Sequence, residues 1–170
     1  MSQKIIAIDK DHLKKLIKNE MEINGQECNL NHIDVSHITD MSFLFHNSYL
    51  YRNISDFNGN ISDWNTSNVT DMKSMFHNSY FCGNLSKWDV SNVKDMSSMF
   101  YGPYFYGDIS DWKPYKLNKA DRIFNRPNVI LPYWAEIKDL EERLITINNY
   151  HLSLNLSYLK DDTNKKKIKI

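Results

Sequence analysis

The sequence predicts an α/β repeat solenoid: a parallel ladder of short strands, short helices along the opposite wall, and a cap at each end. Three observations predict it. An eleven-residue motif recurs without gaps at 35–45, 66–76 and 90–100. Phe76, Phe100 and Phe124 follow one another at intervals of 24 residues, and so do Trp64, Trp88 and Trp112. One such unit is too small to bury its own apolar face, so successive copies must stack.

The second copy, Thr66-Ser67-Asn68-Val69-Thr70-Asp71-Met72-Lys73-Ser74-Met75-Phe76, shows how a unit is read. Ser67 or Asn68 offers a side-chain oxygen to the first free N–H groups of a helix. Asp71 adds negative charge to the first turn, where the helix dipole favours it. Val69, Met72, Met75 and Phe76 then form one apolar stripe. A helix of about ten residues is marginal alone and must lean on a neighbour. A turn and extended piece follow at 77–83, and 84–88 reads as a short strand feeding the next unit. A degenerate fourth copy survives in Leu117, Ala120, Asp121, Ile123 and Phe124, giving about three and a half units. The first unit is longer by seven residues, around 49–55.

Residues 1–32 read as the N-terminal cap, with a strand at 4–8 and a helix begun by Asp9 or Asp11 that turns Leu13, Leu16 and Ile17 inward. Residues 33–125 are the repeats. Residues 126–160 read as a C-terminal cap that follows a linker with Pro127 and Pro132. In that cap Ile137, Leu140, Leu144 and Ile147 mark a helix over 133–149. Leu152, Leu154 and Leu156 alternate with polar residues as a strand over 151–160. Residues 161–170 form a charged tail, expected to be flexible.

The chain has 170 residues, 41% of them apolar and 25% charged, which suits one domain with a real core. Net charge is zero but uneven. Residues 33–112 hold nine acids against four bases, and 113–170 hold twelve bases against seven acids. An overall basic footprint for nucleic acid is therefore absent, and direct nucleic-acid binding is not expected. Cys28 and Cys82 lie far apart without metal-ligand spacing and read as free thiols of a reducing compartment. No apolar run is long enough for a membrane span. The opening MSQKIIAIDK has no apolar signal core, so the expected location is the cytoplasm.

The pattern I-S-x-W-[DN]-[VT]-S-N-V-x-D-M-x-x-M-F, best kept at 61–76 and 85–100, resembles the BspA-like leucine-rich-repeat family of bacterial surface proteins and mycoplasma lipoproteins. The resemblance covers about half of the chain. It implies a right-handed leucine-rich-repeat solenoid and a role in protein recognition, often adhesion.

No catalytic constellation stands out. There is no glycine-rich phosphate loop, no HExxH and no nucleophile elbow. Asp40, Asp71, Asp95 and Asp121 recur as helix caps, and His46 and His77 as polar turn residues. Neither set predicts a metal or cofactor. The aromatic clusters are more telling. Tyr49-Leu50-Tyr51, Tyr80-Phe81-Cys82 and Tyr104-Phe105-Tyr106 occupy one place in successive units. In an extended segment the middle residue points inward and its neighbours outward. Tyr51, Tyr80, Tyr104 and Tyr106, with Arg52 from the insertion, therefore form the expected partner-binding face. Asp63, Asp89 and Asp111 form a second, acidic candidate. The expected function is non-catalytic: an intracellular inhibitor or immunity-type protein that blocks a toxin or a defence complex such as a CRISPR effector. The alternative is an adhesion module of the BspA type. The oligomeric state is left open between monomer and dimer.

Overall fold

The backbone of each repeat finds its hydrogen-bond partners in the next repeat. Met41, Phe43, Phe45 and Asn47 donate their N–H groups to the carbonyls of Asp71, Lys73, Met75 and His77. One unit further on, Met72, Ser74, Phe76 and Asn78 donate to Asp95, Ser97, Met99 and Tyr101, and then Met96, Ser98 and Phe100 to Lys119, Asp121 and Ile123. Alternate N–H groups point across the gap, as in a parallel ladder. Single parallel bridges mark it at Asp40–Asp71, Asp71–Asp95, Asp95–Lys119 and Phe100–Phe124. The computed structural model describes residues 4–47, 52–102, 104–125 and 132–167, and for 52, 53 and 158–167 it describes the backbone alone.

The helices expected within the repeats are not formed. Phe43, Ser74, Ser98 and Arg122, at equivalent places, have positive φ of 52–58°. That conformation cannot continue a right-handed helix. Asp40, Asp71 and Asp95 do not cap helices either. Each accepts the N–H two residues on, at 2.8 Å, closing a turn. The same device recurs at Asn60, Asn65, Asn84, Asp89 and Asp108. The segment 84–88, expected as a strand, is likewise a turn. Each repeat is thus a string of turns cornered by Asn and Asp.

Five named elements frame this stack. Strand β1 (Ile5–Ile6) pairs in parallel with β2 (Ile33–Asp34), Ile5 opposite Ile33. Helix α1 (Lys10–Asn24) lies between them in sequence. Asp9 caps it by accepting the His12 N–H at 2.7 Å, and Gly25 ends it at φ 81°. Leu13 and Ile17 are buried, and Lys10 ties the cap to the first repeat through Asp40 at 2.6 Å. Helix α2 (Arg52–Ser55) is a single turn inside the seven-residue insertion. Helix α3 (Leu140–Lys167) corrects the C-terminal reading. The helix begins at Leu140 rather than at 133, and it runs through the expected strand 151–160 and into the expected flexible tail. After Pro132 the sequence holds no Gly or Pro to stop it. Ser153 and Ser157 bond back to the carbonyls of Tyr150 and Leu154, so their hydroxyls do not compete with the helix.

Aromatic columns fill the core. Phe45, Phe76, Phe100 and Phe124 stack at centroid spacings of 5.2, 5.7 and 5.5 Å. Trp64 and Trp88 stack at 6.3 Å. The indoles of Trp64, Trp88 and Trp112 donate to the carbonyls of Leu30, Ile61 and Leu85 at 2.9–3.0 Å. Each buried N–H is thereby satisfied, and each unit is keyed to the one before it. Gly59 is required by the stack, because a Cβ there would lie 1.9 Å from the Cys28 carbonyl oxygen.

Candidate protein-binding face

The segments that follow Phe76 and Phe100 carry the aromatic clusters. Phe81 and Phe105 point inward and are buried, whereas Tyr80, Tyr104 and Tyr106 are 47%, 40% and 78% exposed. The rings of Tyr80 and Tyr104 lie 4.4 Å apart. The Tyr104 phenol is pushed above its usual range, chiefly by its hydrogen bond with Tyr80. The Tyr80 and Tyr104 rings thus meet at the surface, each next in sequence to a buried phenylalanine.

The insertion joins this row. The Ser55 carbonyl at the end of α2 accepts both the Tyr80 N–H at 3.3 Å and the Ser79 hydroxyl at 3.0 Å. Asn58 accepts the Cys82 N–H at 2.8 Å. The structure thus brings Tyr80 and Tyr104 together and bonds the Tyr80 turn to the end of α2, the helix that Arg52 begins. Tyr51 lies outside the described residues, as does Leu50.

The acidic candidates fall in two columns. Asp63, Lys87 and Asp111 are equivalent by the 24-residue spacing, while Asp89 is equivalent to Asn65 and Lys113. Lys87 contacts Asp63 at 3.1 Å with both side chains exposed. A pair so solvated holds loosely, yet it places a positive charge inside the column. Asp89 is occupied in its own turn, accepting the Ser91 N–H. The Asp40 carboxyl is raised by burial, but bonds from Lys10 and Ser42 outweigh this and hold it below its usual range.

A second column escaped the sequence reading. His46 and His77 stack at 4.8 Å, and His77 stacks on Tyr101 at 4.9 Å. Burial lowers both imidazoles below their usual value, and His77 lowers His46 further. The signal for it is the equivalence of positions 46, 77 and 101 in successive units. Among the described residues no three His, Cys, Asp or Glu side chains gather as metal ligands, and no helix is long and apolar enough to cross a membrane. Both cysteines are free, Cys28 buried and Cys82 exposed.

The model of a family described as "Mycoplasma protein of unknown function, DUF285" matches residues 11–131. The chain belongs to this family. The DUF285 match takes in most of α1 and all of the repeats, and it stops before α3. No curated protein and no solved structure matches the chain.

Proposed function

We propose that this DUF285 member is a non-catalytic repeat protein that binds another protein through the Tyr80–Tyr104–Tyr106 row and the adjoining insertion. In this reading the stacked units form a leucine-rich-repeat type solenoid, and the chain acts in the cytoplasm by covering a working surface of its partner, as an inhibitor or immunity protein does. The observation that carries it is the pair of exposed tyrosine rings 4.4 Å apart, each beside a buried phenylalanine in the sequence. Tyrosine brings a large contact area at small entropy cost, and a row already held in place loses little freedom on binding.

The test is capture of the partner from the native host with the parent chain, followed by affinity measurement on Tyr80→Ala/Tyr104→Ala. Loss of such anchors costs about 2 kcal/mol or more, roughly thirtyfold in affinity. The acidic alternative is tested by Asp63→Asn/Asp111→Asn. An acidic surface that copies nucleic acid weakens steeply with salt, and an aromatic face does not. If the tyrosine variant binds like the parent, this face is not the site. The resemblance to surface proteins favours a second reading as an adhesion module, and fractionation of the native cells separates the two.

A further inference from the structure

The two ends of the ladder are closed unequally. At the first unit Lys10 reaches over the edge, its Nζ 2.6 Å from Asp40 Oδ2, 3.0 Å from Ser42 Oγ and 3.4 Å from the Ser42 carbonyl oxygen. At the last unit the C-terminal cap covers one half. Buried Trp134 stacks on Trp112 at 6.5 Å and closes the tryptophan column, and the Arg143 guanidinium donates to the Leu117 carbonyl. The other half, 119–125, is left at the edge. By the register of the earlier units, Ala120, Arg122 and Phe124 stand where Met96, Ser98 and Phe100 donate their N–H groups across the gap. Their own N–H groups have no acceptor among the described residues. Lys119 and Arg122 are exposed, and the Phe124 ring, stacked on Phe100 at 5.5 Å, ends its column half-buried.

We propose that this edge is a docking site for an extended, acidic segment of another protein, laid parallel to 119–125 as the next rung of the ladder. Donors at alternate residues are what a parallel neighbour bonds to, and an unpaired edge is a template for an added strand. The charge of the edge selects the segment. Residues 116–124 hold Lys116, Lys119 and Arg122 against Asp121 alone. The acids around the start of α3, Asp139, Glu141 and Glu142, make no ion pair with these bases among the described residues. The register already sets an acid against this row from the inner side. Asp95 bridges to Lys119 with its carboxylate 3.9 Å from the ammonium, which stays 69% exposed, and Asn92 holds Lys116 Nζ at 2.6 Å. An incoming segment continues these columns with one acid opposite Lys119 and another three residues earlier, opposite Lys116. Five residues after the first acid, an aromatic or large apolar side chain covers Phe124. The inference rests on the ladder and is independent of the tyrosine face.

The probe is a synthetic peptide of residues 66–76 with blocked ends, carrying Asn68→Asp and Lys73→Ser. By the repeat spacing its positions 68, 71 and 76 fall opposite Lys116, Lys119 and Phe124. Hydrogen exchange on the full chain is expected to be fast at the amides of 120, 122 and 124 and slow at those of 96, 98 and 100. The peptide is expected to slow the first set. Lys119→Glu is expected to weaken peptide binding about tenfold with unchanged dichroism. Ala120→Pro, which removes one edge N–H, is expected to weaken it as well. The same peptide with Asn68→Lys and Asp71→Lys is expected not to bind. Slow exchange at the three amides in the free chain overturns the proposal, because the edge is then already covered. A probe that does not bind, or that binds equally well after the two lysine changes, overturns it too. Protection of these amides by self-association, followed by sedimentation, gives the edge to a second copy and overturns the acidic occupant.

Discussion

Ser98 distinguishes a stacked turn from a helix by the sign of its response. It has φ 57°, its N–H donates to the Asp121 carbonyl at 2.9 Å, and its own carbonyl accepts from Tyr101 at 3.2 Å. Both bonds are backbone bonds and survive replacement of the side chain. The left-handed conformation costs an L-residue about 1–2 kcal/mol. Ser98→Gly removes that cost and gives back about 0.5–1 kcal/mol through the looser unfolded chain. The net change is roughly 0 to 1.5 kcal/mol of added stability. Ser98→Val works the other way, because a β-branched residue at positive φ adds strain of about 1–3 kcal/mol. A helix at this place would reverse the order: glycine would cost about 0.5 kcal/mol and valine about nothing relative to serine. For a chain of this length 1 kcal/mol moves Tm by about 2–4 °C. Thermal melts of the two variants should therefore place glycine at or above the parent and valine several degrees below it. Valine melting with the parent while glycine melts lower would refute the stacked-turn account.

Three further outcomes are expected. Met75→Asp or Phe100→Asp should unfold the chain by dichroism, since both side chains are buried and an unpaired charge there costs several kcal/mol. Trp88→Phe should lower stability in denaturant by about 1–3 kcal/mol, because the Ile61 carbonyl loses its 3.0 Å indole donor inside the core. The His46–His77 stack should make stability pH-dependent. Both imidazoles are depressed in the folded state below the ordinary 6.5, so the unfolded chain binds protons first. Stability is then full above about pH 6.5 and falls as pH drops from there toward the depressed folded values. A His46→Gln/His77→Gln variant should flatten the Tm–pH curve over that range.

The period and the core were legible because both are properties of side chains. Val69, Met72, Met75 and Phe76 are buried whether the segment is a helix or a turn, so the stripe identified the core and left the backbone open. The tyrosine alternation was legible for the same reason: Phe81 inside and Tyr80 outside follows from one extended step. What the sequence did not reveal is where the N–H groups go. Ser74 and Ser98 are ordinary residues for a helix, and only the neighbouring unit makes positive φ worthwhile by accepting the hydrogen bonds. The stretch 151–160 failed differently. Leu152, Leu154 and Leu156 fit a period of two, but Leu152 and Leu156 also fit the helical period set by Ile145, and unbroken chain on both sides decides for the helix. Asp63, Asp89 and Asp111 looked alike in a list of acids, and spacing them by 24 separates them.

That separation bears on what kind of partner the protein suits. Nine acids against four bases in 33–112 suggest a negative face, but stacking turns a linear count into columns. One column reads Asp63, Lys87, Asp111, with Lys87 set 3.1 Å from Asp63. The next reads Asn65, Asp89, Lys113. A surface that copies a phosphate row needs like charges at regular intervals, and neither column supplies them. Between the second and third units two aromatic columns keep their character, Phe81 with Phe105 inside and Tyr80 with Tyr104 outside, with the insertion bonded to Tyr80 through Ser55. Binding energy in protein interfaces concentrates in a few rigid aromatic anchors ringed by polar groups. The repeat therefore places tyrosine, a residue type well suited to a protein partner, at equivalent exposed positions, while these two charge columns are mixed in sign; Asp40, Asp71 and Asp95 do share a column, which Lys119 follows. If the proposed tyrosine face is the site, partner binding should depend only weakly on salt, because the anchors it offers are uncharged.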